Sequence, residues 1–87
     1  MNESFKALAD PTRRKILELL KESNLTAGEV SDHFNMTKPS ISNHLKILKQ
    51  GELIQGKKQG QFIIYSLNNN TFQNLISWFT TFERGEK

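Results

Sequence analysis

No cysteine occurs among the 87 residues, which excludes a disulfide framework, a thiolate metal site and a thiol nucleophile. Histidine is scarce too, with His33 and His44 as the only imidazoles. Asp32, His33 and His44 form the sole arguable ligand set, and surface or packing roles suit these histidines better, so no metal and no cofactor are expected. There is no glycine-rich phosphate loop and no carboxylate pair outside helix surfaces, which leaves little room for an enzyme. No run approaches the roughly 18 apolar residues that a membrane span needs, and no membrane insertion is expected. The opening Met1-Asn2-Glu3-Ser4 lacks the basic-then-apolar order of a secretory signal, so the expected location is the cytoplasm. Repeats and low-complexity tracts are absent as well. With 36% apolar residues, the chain reads as one domain over 1–87 with a small core.

What is present concentrates between Leu25 and Ile54. Thr26-Ala27-Gly28-Glu29 has the spacing of a capping box and predicts a helix start, after which Val30 and Phe34 share a buried stripe. Asn35 and Met36 interrupt that pattern. Thr37 is a second N-cap and Pro39 suits a first helical turn, so a second helix is expected from Lys38, ending at Gly51 as a left-handed cap. At a hundred degrees per residue, Ile41, Leu45 and Leu48 fall on one face with His44 at its edge. The opposite face gathers Pro39, Ser42, Asn43, Lys46 and Gln50, flanked by Ser40 and Lys49. Two short helices with a polar second face form the layout of a DNA-reading helix-turn-helix, in which small donors near the helix start meet base edges.

Charge placement strengthens this reading. Residues 38–58 hold five lysines (Lys38, Lys46, Lys49, Lys57, Lys58) against one acid, Glu52, while the whole chain is only +3. A basic pole on a slightly acidic body is the footprint of a polyanion partner, here double-stranded DNA. Runs at Leu53 to Lys58 and Gln61 to Leu67 are expected to pair as a hairpin, with the lysines and Gly60 at its tip. Such a wing would bring Lys57 and Lys58 to phosphates and Gln59 or Gln61 to the minor groove. RNA binding would call for stacking aromatics, which the basic face lacks.

The flanking segments look structural. Asp10 and Pro11 start a helix whose Ile16, Leu17 and Leu20 face inward; Arg13 reads as a structural pair or a clamp at that start, and Arg14 and Lys15 as a solvated face with DNA backbone as the alternative contact. A last helix is expected over Thr71 to Glu83. Phe72, Leu75, Ile76 and Phe79 form one stripe there, widened by Trp78 and Phe82 beyond what a small monomer needs to cover. With Phe5 and Leu8 of a short first helix, these residues are the expected homodimer interface.

Three motifs now carry a family resemblance: Asp10-Pro11-Thr12-Arg13-Arg14 within Ala7 to Leu20, the Lys38 to Leu48 helix, and the Gly60 wing ending in Tyr65-Ser66-Leu67. In that order and spacing they resemble an ArsR-type winged-helix repressor along nearly the whole chain. Within the family the sequence is most similar to the SdpR-type autorepressors, where the same Lys-Pro-Ser-Ile-Ser segment opens the recognition helix. The resemblance implies a mainly α fold with a small β-hairpin wing, ordered α-α-α-α-β-β-α. It also implies a homodimer that binds a palindromic operator and blocks transcription, with Thr37 and His44 joining the backbone contacts. Many relatives sense metals through thiolates before the turn or His and carboxylate ligands on the last helix. This chain lacks those sets, so release is left to an apolar ligand at the dimer interface, a partner protein competing for the DNA face, or no inducer at all. The competing reading is a winged-helix protein-interaction module with no DNA target.

Overall fold

Local signals decide where the helices begin. The computed structural model describes residues 1–83. Helix α1 spans Asn2–Leu8 and α2 spans Pro11–Glu22, with the Asp10 carboxylate accepting the Arg13 amide at 3.0 Å as its N-cap. Strand β1 is Leu25–Thr26, and α3 follows at Ala27–Ser31 behind a complete capping box. Glu29 N–H donates to the Thr26 hydroxyl at 3.1 Å, and Thr26 N–H donates to the Glu29 carboxylate at 2.9 Å. Helix α4 spans Lys38–Gln50, where the Thr37 hydroxyl accepts the Ser40 amide at 3.3 Å and Pro39 occupies the first turn. Strands β2 (Ile54–Gln59) and β3 (Phe62–Leu67) form the hairpin, and α5 spans Asn69–Thr80.

The sheet has three strands in the order β1-β3-β2, all antiparallel. Thus the expected element order is corrected by one strand. Leu25 pairs with Tyr65 and Thr26 with Ile64, which ties the hairpin to the entrance of α3. Two residues are too few to show alternation, so only the waiting edge of β3 makes them a strand. Across the hairpin, Gln59 faces Phe62 around a two-residue loop, Gly60-Gln61, with Gly60 at φ 61°. A positive φ at the first loop residue suits the right-handed twist of the strands and favours glycine. The expected tip is therefore revised: Lys57 and Lys58 lie on β2, opposite Ile64 and Ile63.

One core joins all the helices. Ile16, Leu17 and Leu20 of α2 meet Val30 of α3, Ile41, Leu45 and Leu48 of α4, and Leu53 and Ile54 at the start of the hairpin. Ala7 and Leu75 close it from α1 and α5. The stripe read from Lys38 onward is thereby the buried anchor of α4, and each such side chain contributes about 1.5–3 kcal/mol.

The end of α4 departs from expectation. Gly51 is not left-handed; its φ is −80°, and Glu52 takes the positive φ of 60° instead. Leu53 N–H donates to the Leu48 carbonyl and Glu52 N–H to the Lys49 carbonyl, a Schellman closure with Glu52 in the left-handed place. Glycine is needed one residue earlier for another reason. A Cβ at Gly51 would lie 2.7 Å from the Glu3 carbonyl oxygen, because α1 crosses the end of α4 there. The buried Ser4 hydroxyl fastens that crossing by donating to the Gly51 carbonyl at 2.7 Å. Helix α5 is also displaced, starting two residues before the expected Thr71 and ending at Thr80. There the Thr80 and Thr81 hydroxyls donate to the Ser77 and Trp78 carbonyls, competing with continuation of the helix.

The cap at Asp10 has a pH signature. Its hydrogen bond from the Arg13 amide, helped by the Arg13 charge and opposed by burial, holds the carboxyl below its ordinary value of about 3.9. Because the folded value is depressed, the stabilisation is fully present above about pH 4 and is lost as pH falls through the folded value. Asp10→Ala is expected to cost about 1 kcal/mol at pH 7. In urea titrations the gap between the two proteins should narrow below about pH 4; a gap that stays constant to pH 2.5 would show that the carboxylate is not the cap.

Candidate nucleic-acid interface

The apolar face of α4 is locked in the core, so its other face is fixed toward solvent. Lys38, Pro39, Ser42, Asn43, Lys46, Lys49 and Gln50 are all exposed, and Ser40 is half-buried on the flank. Ser42 and Asn43 sit in the first half of the helix behind Lys38, and Lys46 and Lys49 in the second. Thr37 is exposed, with its hydroxyl engaged by the Ser40 amide.

The wing adds a second cationic element. Lys57, Lys58, Gln59 and Gln61 are exposed, but Lys57 and Lys58 are neighbours on one strand and so project from opposite faces of the ribbon. A duplex lying against one face therefore meets one of them directly and the other only around the edge. Phe62 and Ile63, both exposed at the start of β3, lie outside the expected set. Their signal was the unbroken apolar run Phe62 to Tyr65, too long for a strand with one wet face. Phe62 lines a groove with Lys38, Glu29 and Asp32 beside the start of α4.

His44 stands apart from this surface. Its side chain is 15% exposed, and Nδ1 lies 3.3 Å from Arg13 Nη1 and 3.9 Å from Asp10 Oδ2. A guanidinium can only donate, so the ring nitrogen is the acceptor in this contact. His44 thus turns Nδ1 toward its own domain, in the helix-packing role expected of it. Arg13 is the clamp that was expected, with Nε donating to the Ala7 carbonyl at 2.8 Å and Nη2 to the Lys6 carbonyl at 3.2 Å. Arg14, read as solvated, also reaches back, donating to the Leu8 carbonyl at 2.7 Å.

On the far side of the molecule, α1 and α5 share an aromatic cluster. Phe5 lies 5.3 Å from Trp78 and 6.3 Å from Phe79 between ring centroids, and Trp78 lies 4.8 Å from Phe82. Ile76, Trp78, Phe79 and Phe82 remain exposed, Phe82 by 65%. Leu75 does not belong with them: at 4% exposure it fills the chain's own core, and Phe72 and Leu8 are half-buried against that core. The stripe expected as an interface thus divides, Leu75 facing in and its neighbours facing out. Among the described residues, no group of three His, Cys, Asp or Glu side chains converges as a metal site would require.

Known proteins share this arrangement. The family profile described as bacterial regulatory protein, arsR family, matches residues 10–55, from the α2 cap through α4 to the start of β2. The transcriptional repressor SdpR of Bacillus subtilis is 57% identical over 82 residues, covering 94% of this chain and 91% of that protein. An arsenical resistance operon repressor of Staphylococcus xylosus is 39% identical over 65 residues, 75% of this chain and 62% of its own length. Among solved structures, an ArsR family transcriptional regulator superposes with a TM-score of 0.86 at 32% identity, covering 92% of this chain and 88% of that one. The homodimeric winged helix-turn-helix domain of a possible ArsR-family regulator from Mycobacterium bovis shares the fold at a TM-score of 0.73 and 21% identity, over 99% of this chain and 84% of that one. With the profile spanning the helix-turn-helix and a relative alike over nearly its full length, this chain belongs to the ArsR family of bacterial regulatory proteins.

Proposed function

We propose that this protein is a transcriptional repressor that binds an inverted-repeat operator as a homodimer and controls its own gene. The observation that carries the proposal is α4 itself, whose buried Ile41, Leu45 and Leu48 hold Ser42, Asn43 and Lys46 outward on a rigid base. Helix α4 enters the major groove, where Ser42 and Asn43 meet base edges and Ser40, Pro39 and Lys38 line the approach. Lys46, Lys49, Lys57 and Lys58 neutralise phosphates, and Gln59 and Gln61 reach toward the minor groove. Two copies joined through α5 would hold their reading helices about 34 Å apart, one turn of duplex.

No metal or cofactor enters this proposal, since the chain has no cysteine and its two histidines lie apart in role. Among the described residues no helix is long and apolar enough to cross a membrane. The proposal places the protein in the cytoplasm with its DNA. Relief of repression falls to a partner protein or an apolar ligand.

Binding to a randomised operator library, and to the DNA upstream of its own coding region, tests the reading. Lys57→Ala is expected to weaken all sequences alike and to lower the salt slope by about one. Asn43→Ala should instead relax one base position, at a cost of about 1–3 kcal/mol for the preferred base. Identical sequence profiles for wild type and Asn43→Ala would remove that residue from base readout. Absence of any salt-sensitive duplex binding would favour a protein-interaction module.

A further inference from the structure

Helix α1 lies between the aromatic cluster and the reading helix, and it is bonded to α4 at two points. At one end the Ser4 hydroxyl holds the Gly51 carbonyl, in a crossing so close that no Cβ fits. At the other end a single guanidinium does the joining: Arg13 takes two carbonyls in the last turn of α1, those of Lys6 and Ala7, with two of its nitrogens and His44 of α4 with a third. Asp10 fixes Arg13 in turn, since the same carboxylate that accepts the Arg13 amide lies 3.9 Å from His44 Nδ1. His44 and Gly51 are seven residues apart on α4, about 10 Å, so α1 is held at two places along the helix and cannot pivot freely about either. Helix α1 also carries Phe5, whose ring meets that of Trp78 of α5 at a tilt of 59°.

We propose that Arg13 and His44 are positioning residues, forming with the Ser4–Gly51 bond a latch that fixes the reading helix relative to the dimerising face. The latch therefore sets the distance between the two reading helices on DNA. This inference rests on the DNA-reading role of α4. A rigid link is what a two-half-site operator demands, because one base pair more or less between half-sites shifts the second by about 3.4 Å and turns it by about 34°. Cutting the link leaves each helix able to read its half-site but lets the pair tolerate the wrong spacing. Loss of stability alone scales down binding to every spacing together and leaves the preference unchanged.

The test is a series of duplexes carrying the operator with its half-sites at the natural spacing, one base pair closer and one base pair further, together with a single half-site. Arg13→Met removes all three donors while keeping an unbranched apolar stem, and Arg13→Lys keeps the charge without the fork that can serve two helices at once. Wild type is expected to prefer the natural spacing by about tenfold or more, and Arg13→Met or Arg13→Lys to compress that preference to within about threefold, with half-site affinity nearly unchanged. His44→Gln retains a side-chain acceptor for Arg13 and should keep the preference, whereas His44→Met should lose it. Folded Arg13→Lys and His44→Met proteins with the wild-type preference, or a His44→Gln protein as permissive as His44→Met, would overturn the latch. A wild-type protein that ignores every duplex would instead overturn the DNA-binding reading on which it stands.

Discussion

Phe79→Glu is expected to leave the chain folded while lowering its affinity for a two-half-site operator by about a hundredfold or more. Phe79 is 55% exposed and belongs to the aromatic cluster with Phe5 and Trp78, so a carboxylate there meets water in the isolated chain and breaks no buried contact. In the proposed dimer the same carboxylate is carried into an apolar interface, where burying a charge is costly. The monomer then binds one half-site at a time and loses the gain that comes from tethering the second. Sedimentation should show the change of mass, and the single half-site should be bound nearly as before. An unchanged dimer with unchanged operator affinity would move the interface away from α5.

The second large effect lies in the core beneath the reading surface. Leu48 is wholly buried at the meeting of α4 with its neighbours, and Leu48→Ala should cost about 2–5 kcal/mol through lost transfer energy and the cavity left behind. For a small domain whose whole stability is about 5–15 kcal/mol, that is a large fraction, and the melting temperature should fall by on the order of 10–20 °C. Urea and thermal unfolding measure it directly. A loss below about 1 kcal/mol would mean that the site collapses without a cavity and that α4 is anchored elsewhere.

These effects trace back to features with very different visibility in the amino-acid order. Helix starts at Asp10, Thr26 and Thr37 were legible because a cap is a local event: a short oxygen-bearing side chain satisfies an amide two or three residues on, and neighbours suffice to specify it. The Ile41, Leu45 and Leu48 stripe was legible for the same reason, since a helix repeats its faces within a few residues. Features that need a distant partner were not. Strand β1 exists because β3 lies alongside it, forty residues away in the chain. Gly51 is legible as the residue that ends α4 but not for its cause, because only the folded chain shows α1 passing over it while Glu52 takes the left-handed turn. Leu75 and Phe79 differ by one helical turn on a single stripe, and periodicity cannot say which of them meets the core and which meets a second copy. His44 sat at the border of the apolar face; its inward role became readable only once Arg13, far back in the sequence, was placed against it.

The exposed aromatic face also bears on how such a regulator works over time. In the proposed assembly, Trp78, Phe79 and Phe82 are covered only when two chains meet, so the pool of active molecules grows with the square of chain abundance while copies are scarce. A self-limiting gene built on that dependence runs freely at first and then closes over a narrow range of accumulation, with the strength of aromatic pairing deciding the copy number at which output levels off.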